Sequence, residues 1–465
     1  MSLSNVGSIN QPVILKSRVH VRMFYVTTSR YLADYAITCD SDFSLLADVA
    51  MDVTSGRISW IGKETDAPPH PGPTTKLGGL VMPGLVNSHA HTPMTLVRGA
   101  GDGLPLMDWL TKVMWPREGQ MTPEDALWGM RLGAAEMLLA GVTSTCEMYL
   151  FEEAVVEAAQ EVGIRLAMTP GIISALHGDS FGATENRITD IAEFHSQYHD
   201  PDSLITVGFG PHSAYDLPLE LCSEIAEAAR ELKALLHIHV CETKTEGAEL
   251  EAQNGGESTV QLLANHGVLD GRVLAAHSVW LNDSDIETYE QKGVRVAHCP
   301  VSNMKLASGP APIQAMRAKG IDVGLGTDGP ASNDDLDLWQ EIKVAPLLTR
   351  VTTLDASSMT PQDALTMATV EGSRAIGNDD TGMLQVGSKA DFIRLDLDDP
   401  TFVPVTNNDE LIAHVAWAGS GRHVTDVWVG GTQVVAQRQL TNFDLEQALQ
   451  QVQSRGQRLA KDSGT

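Results

Sequence analysis

The chain has 465 residues, 43% hydrophobic and 20% charged, with 60 acidic against 32 basic residues and a formal net charge of −28. That balance argues against a nucleic-acid or anionic-membrane partner, and the length allows two or three domains, or one large barrel with an accessory domain. Five scattered cysteines (Cys39, Cys146, Cys222, Cys241, Cys299) without a Cys-x-x-Cys pair suit a reducing compartment, and neither a signal-peptide pattern nor a run of about 18 apolar residues occurs, so a cytoplasmic enzyme is expected.

In chain order, residues 46–63 alternate in polarity and turn at Ser55-Gly56, which predicts a β-hairpin. From about residue 80 to 330, short runs rich in Val, Ile and Leu alternate with stretches of helical period; the runs lie at 80–86, 142–146, 164–168, 204–209, 234–238, 273–276, 294–297 and 321–325. Helices are predicted over 122–139, which opens with Thr122-Pro123, and over 217–233, apolar at three- and four-residue spacing. Eight such alternations imply a parallel sheet, and a (β/α)8 TIM-like barrel more readily than an open doubly wound sheet. Further on, 390–397 reads as a strand, 424–435 as a hairpin turning at Gly430-Gly431, and 444–459 as a final helix able to pack on either part. The expected α/β organisation is a small flanking β-sandwich from both termini (1–80 and 383–440), a barrel over 81–382, and a C-terminal helix and tail over 441–465.

Polar residues gather at the carboxyl ends of the expected strands, the face on which barrel active sites are built. His89-Ala90-His91 follows the first strand, His212 the fourth, His239 with Glu242 the fifth, His277 the sixth, His298 the seventh and Asp328 the eighth. A single His in such a place is more often a hydrogen-bonded structural residue than a ligand. His237 is read in that way, its side chain turned toward the helices and away from His239. His298 is read as support or packing, and His177, His195, His199, His266 and His423 as ordinary loop or helix residues. The His-x-His pair differs, because imidazoles two residues apart on an extended segment point the same way and can clasp one ion. Joined by His239 and Asp328, His89 and His91 form a set suited to Zn²⁺ or another imidazole-friendly divalent metal. A two-metal barrel hydrolase usually needs a bridging group, often a modified lysine on the fourth strand; residues 205–216 contain no lysine, so one divalent ion per chain is expected.

Residues 81–99 (VMPGLVNSHAHTPMTLVRG), 239–242 (HVCE), 297–309 (AHCPVSNMKLASG) and 324–333 (GLGTDGPASN) together resemble the amidohydrolase superfamily. The likeness is nearest to its cytosine deaminase/chlorohydrolase (TRZ/ATZ) branch, and within it to 5′-methylthioadenosine/S-adenosylhomocysteine deaminases, over residues of about 40–435. The resemblance implies a (β/α)8 barrel with a flanking β-sandwich, one catalytic metal, usually zinc, and hydrolytic loss of ammonia from an aromatic amine. It implies that His89, His91, His239 and Asp328 are metal ligands, that Glu242 transfers protons, and that His277 helps to orient the attacking water. It further implies that Glu118, in Trp115-Pro116-Arg117-Glu118, holds the ribose hydroxyls and that His212 binds substrate. Such deaminases often carry an arginine just after the third strand; here Thr169-Pro170-Gly171 stands there, with Arg187 in the next loop, so a homocysteine carboxylate has no obvious partner. A homo-oligomer is also implied.

Chemically, a bound divalent metal lowers the pKa of its water from 15.7 to about 7, Asp328 and His277 can hold that water, and Glu242 can protonate the ring nitrogen beside the attacked carbon. Glu118 keeps a second reading, as a carboxylate at a helix start. The function expected is deamination of adenosine, 5′-methylthioadenosine or S-adenosylhomocysteine to the inosine analogue. The alternatives are the same chemistry on an s-triazine, pterin or guanine-like base, and a non-catalytic barrel scaffold.

Overall fold

The computed structural model describes residues 28–174, 176 and 184–464; His177 and the first 27 residues of the expected N-terminal segment lie outside these. Strands from residues 28–83 and 392–440 meet in one nine-stranded sheet. β1 (Thr28–Ile37), β2 (Leu45–Thr54) and β3 (Arg57–Lys63) form an antiparallel meander, turning at Ser55-Gly56 as the sequence predicts. β4 (Thr74–Lys76) and β5 (Leu80–Pro83) run parallel to β1.

The chain then leaves this sheet at Gly84 and enters another as β6 (Leu85–Ala90). The one strand expected over 80–86 is therefore two. Its continuous apolar content hides the break, at which a Cβ on Gly84 would stand 2.1 Å from Thr143 Oγ1, so only glycine lets the chain pass so close.

β7 (Val142–Tyr149), β8 (Arg165–Ile172), β9 (Ile205–Val207) and β10 (Gly210–Pro211) extend the sheet begun by β6, all parallel. A further parallel sheet holds β11 (Leu235–Val240), β12 (Arg272–His277), β13 (Arg295–His298) and β14 (Val323–Leu325), in that order. Parallel bridges pair Phe209 with Leu236, Ser213 with His239, and Ala90 with Asp328. Every residue of β6, β7, β8 and β11 is buried, the mark of parallel strands covered on both faces. Helices come between the strands. Pro123–Leu139 starts from a capping box of Thr122 and Asp125, and Leu219–Glu231 lies within the span expected for it. The fold is thus mixed α/β with parallel strands.

The chain returns to the first sheet with β15 (Phe392–Leu395), antiparallel to β5, followed by β16 (Val424–Val429), β17 (Thr432–Ala436) and β18 (Gln439–Leu440). Tyr31, Phe392 and Trp428 pack there in an apolar cluster of their own. The final helix, Leu445–Ser463, buries Ala448, Val452 and Leu459, and its Arg455 and Arg458 donate to Asp125, at 2.9 and 2.5 Å, which fastens it to helix Pro123–Leu139. Among the described residues no helix is long and apolar enough to cross a membrane.

Candidate active site

The carboxyl ends of β6, β11, β12 and β14 bring together imidazoles and a carboxylate. The ligand atoms of His89, His91 and Asp328 lie within 4.8 Å of one another, as do those of His89, His239 and His277. His91 Nε2 stands 3.3 Å from both Asp328 Oδ1 and His239 Nε2, and His89 Nε2 lies 3.4 Å from the same carboxylate oxygen. The backbone is bent to make this possible. Cys241, His277 and Asp328 have φ of +52°, +68° and +62°, left-handed conformations costly for residues with a Cβ. Neighbouring strands hold them, through Asp328 N donating to His89 O at 2.9 Å and Ser278 N to Val240 O at 3.0 Å.

His91 Nδ1 donates to the Met148 carbonyl at 2.6 Å and His239 Nδ1 to the His212 carbonyl at 2.8 Å. A carbonyl only accepts, so each ring carries a proton on Nδ1, and its Nε2 is the nitrogen left to bind a cation. Two such nitrogens 3.3 Å apart beside a carboxylate suit a cation far better than each other. His89 Nε2, buried, makes no hydrogen bond at all. Imidazoles with one carboxylate fit a divalent metal such as zinc. Burial pushes the His89 pKa down to about 3, so the ring is neutral and available as a ligand. Burial acts against ionised Asp328, yet the imidazoles of His89, His277 and His91 hold its carboxyl well below the usual range. Ser302 Oγ, Ser332 Oγ and Gly329 N, at 2.6, 2.9 and 2.7 Å, donate to its oxygens.

His277 Nδ1 lies 2.9 Å from Asn303 Oδ1, which leaves Nε2 facing Glu242 Oε2 at 3.8 Å. Burial, with the Asp328 charge adding to it, raises the Glu242 carboxyl well above its ordinary value. Glu246 accepts from the backbone N–H groups of Glu242 and Thr243, at 2.9 and 2.8 Å, and burial pushes it up to about 7.

A cavity opens over this cluster, lined by His91, His239, Glu242, His277 and Asp328, and by Glu118, Tyr149 and His212. Leu106, Trp109, Leu110, Trp115 and Leu306 give it an apolar flank. Glu118 ends a short helix (Trp115–Glu118), is buried, and accepts from Tyr149 Oη at 2.9 Å; burial raises its pKa. His212 Nδ1 lies 3.2 Å from Ser213 Oγ and 3.7 Å from Asp216 Oδ2, and burial lowers its pKa to about 4. The candidates named from the sequence therefore share one cavity, except His89, which is fully buried against His91 and Asp328.

Three readings need correction. His237 does not turn toward the helices: its Nε2 lies 2.8 Å from His89 Nδ1, because residues two apart on a strand share a face. Pro170 does not follow the third parallel strand but lies within it, opposite Tyr149, since β8 runs on to Ile172. Arg187 belongs to helix Thr184–Tyr198 and pairs with Glu152 at 2.8 Å. The sequence reading also missed Tyr149, Tyr215 and Glu147. Tyr149 and Tyr215 line the cavity, and buried Glu147 accepts from Thr92 N at 2.7 Å, just past the His91 ligand candidate. Glu147-Met148-Tyr149 ends a strand as the histidines do, a signal that was there to find.

The Amidohydrolase family matches residues 80–434. A 5-methylthioadenosine/S-adenosylhomocysteine deaminase of Pelotomaculum thermopropionicum is 38% identical over 426 residues, 91% of this chain and 96% of its own. A 5′-deoxyadenosine deaminase of Methanosarcina mazei is 37% identical over 426 residues, again 91% and 96%. The crystal structure of an adenosine deaminase from Xanthomonas campestris with bound zinc superposes with a TM-score of 0.88 at 32% identity, covering 93% of this chain and 98% of that one. An atrazine chlorohydrolase of Arthrobacter aurescens complexed with zinc shares the fold, with a TM-score of 0.83 at 24% identity over 92% of this chain and 100% of that one.

Proposed function

This chain belongs to the amidohydrolase family, and from that premise we propose that it is a metal-dependent hydrolytic deaminase of an adenine nucleoside. The observation that carries the reading is one cavity with the nitrogen-rich cluster of His91, His239 and Asp328 in its wall, together with buried Glu242 and the Glu118–Tyr149 pair. The nucleoside-deaminase names of the relatives sharing 37–38% identity support the substrate class.

In this reading His89, His91, His239 and Asp328 hold one divalent ion, most readily zinc. Bound there, the ion would supply hydroxide at neutral pH by acidifying a water to a pKa of about 7. Glu242, kept protonated by burial, donates to the ring nitrogen next to the amino-bearing carbon, where the proton stays in the product, and regains one from the oxygen that replaces the amine. His277, whose Nδ1–H goes to Asn303 Oδ1, offers Nε2 as an acceptor to the attacking water, and ionised Asp328 takes up a water proton and passes it to the departing ammonia. Glu118 accepts from the ribose hydroxyls and His212, just past β10, contacts the substrate.

The same reading closes the two parallel sheets into a (β/α)8 barrel over 81–382, supported by the bridges Ala90–Asp328 and Phe209–Leu236. It assigns 1–80 and 383–440 to a composite β-sandwich, supported by the separate apolar cluster of Tyr31, Phe392 and Trp428, and 441–465 to a C-terminal helix and tail. Five buried cysteines without a disulfide support a reducing compartment such as the cytoplasm. A homo-oligomer, the assembly implied by the resemblance, is checked by light scattering.

An ammonia-release screen of purified protein over purine nucleosides, free bases, pterins and triazines tests the activity. Turnover confined to adenine nucleosides is expected; turnover confined to triazines or pterins overturns the reading. Elemental analysis should give one divalent ion per chain. Two ions, both needed for turnover, would overturn the single-metal assignment.

A further inference from the structure

We propose that Thr169 and His237 form a hydrogen-bond relay that fixes which nitrogen of His89 is bare, and thereby sets how tightly the site holds its metal. The inference rests on the metal site proposed above. His237 Nε2 lies 2.8 Å from His89 Nδ1, His237 Nδ1 lies 3.0 Å from Thr169 Oγ1, and Thr169 Oγ1 lies 2.7 Å from the Glu147 carbonyl oxygen. All three side chains belong to fully buried residues.

The direction of every bond follows from the carbonyl end. A carbonyl oxygen only accepts, so the single hydroxyl proton of Thr169 goes to Glu147 O. Thr169 Oγ1 must then accept from His237, which places the His237 proton on Nδ1. Cys146 Sγ, 3.5 Å from that nitrogen, is a further weak acceptor. Neutral His237 therefore presents a bare Nε2, which accepts from His89 Nδ1–H. His89 Nε2 is left as a lone pair, 3.4 Å from Asp328 Oδ1, on the side where the other candidate ligands converge. His91 and His239 reach the same tautomer directly, from the carbonyls of Met148 and His212. His89 reaches it through two intervening side chains, and those side chains can be altered without touching a ligand.

Without an acceptor at position 169, His237 is free to carry its proton on Nε2, where it meets His89 Nδ1–H head-on. Relief of that contact moves the His89 proton to Nε2, the nitrogen a metal needs bare. Loss of such outer partners typically weakens metal binding by about 10–100-fold. Thr169 and His237 are positioning residues, since they act through His89.

The test strips the parent, Thr169→Ser and Thr169→Val of metal, then measures zinc affinity by competition with a chromophoric chelator. Melting temperatures of the metal-free proteins, measured alongside, report packing separately. The relay needs a hydroxyl, so Thr169→Ser should bind zinc within about 3-fold of the parent and Thr169→Val at least about 10-fold more weakly. A purely packing role predicts the reverse order, because valine matches the shape of threonine while serine leaves a methyl-sized gap. Valine binding zinc as tightly as serine, or serine as weak as valine, overturns the relay. If Thr169→Val does not fold, Thr169→Ala is read against Thr169→Ser in its place. A parent that binds no zinc defeats the metal site and the relay together, whereas a zinc-binding parent whose serine and valine variants agree defeats the relay alone.

Discussion

The Tyr149 phenol donates a 2.9 Å hydrogen bond to Glu118 Oε1, joining the end of β7 to a short helix 31 residues earlier and fixing a buried carboxylate in the cavity wall. A buried acid with one neutral donor still lacks partners for most of its lone pairs, and two ribose hydroxyls supply them. Glu118→Ala should lower kcat/KM for nucleosides at least about tenfold, about 1.4 kcal/mol, with metal content unchanged. Tyr149→Phe should cost less, because the carboxylate remains. Free adenine should be much poorer than adenosine, since it leaves the remaining acceptor sites of buried Glu118 unfilled. Steady-state kinetics on both substrates check this, and equal turnover would point to the free-heterocycle alternative.

Glu242 is held protonated by burial and lies opposite His277 Nε2 at 3.8 Å. Glu242→Gln keeps the shape and the hydrogen-bonding ability but cannot give up a proton. We expect kcat to fall by about a hundredfold or more while metal content and melting temperature hold. Activity within a few-fold of the parent would assign the proton to another group.

The positions of His89, His91, His239, His277 and Asp328 were legible because each follows an apolar run short enough to be a buried strand. What was illegible depends on contacts distant in sequence. Tyr149 meets Glu118 across 31 residues and His237 meets His89 across 148, distances over which no local pattern speaks. The inward turn of His237 follows from the sequence itself: His237 and His239 obey the same two-residue rule as His89 and His91, so both face the cluster. The 80–86 run concealed a change of sheet because both halves are equally buried. The seat of the final helix turned on Asp125, which reads locally as a mere capping residue.

Asp125 serves two structures at once. Its buried carboxylate accepts from Thr122 N at 2.8 Å, closing the cap of helix Pro123–Leu139, and from Arg455 and Arg458 of the final helix. Burial opposes its ionisation, but Thr122 and the two arginines outweigh burial and hold the pKa below its ordinary value. A carboxylate depressed in the folded state contributes stability that is fully present above the unfolded pKa, about 3.9, and is lost as pH falls through the folded value. Asp125→Asn should therefore destabilise by about 3 kcal/mol at pH 7. Its melting temperature should approach that of the parent as pH falls below about 4. Thermal melts of both proteins from pH 7 to 3 check this. A gap that stays constant would mean that charge at Asp125 is not what holds the helix.

The 5′ substituent of the nucleoside decides the last prediction. Among the described residues the cavity is lined by Leu106, Trp109, Leu110, Trp115 and Leu306 but by no Lys or Arg. Arg187 pairs with Glu152 at 2.8 Å, and with side chains only 12% and 8% exposed that pair is not free to receive a substrate carboxylate. A zwitterionic homocysteine tail would shed water against this wall without compensation, whereas a methylthio group gains about 0.8 kcal/mol for each buried carbon. We therefore expect kcat/KM for 5′-methylthioadenosine to exceed that for S-adenosylhomocysteine by at least about tenfold. Arg187→Ala should leave the ratio unchanged, because that guanidinium already has its carboxylate. Parallel kinetics on the two nucleosides, followed by the absorbance change from adenine to hypoxanthine, provide the measurement. Equal specificity constants would show that the charged tail has a partner here, and a ratio that moves with Arg187→Ala would identify it as that arginine, released from Glu152.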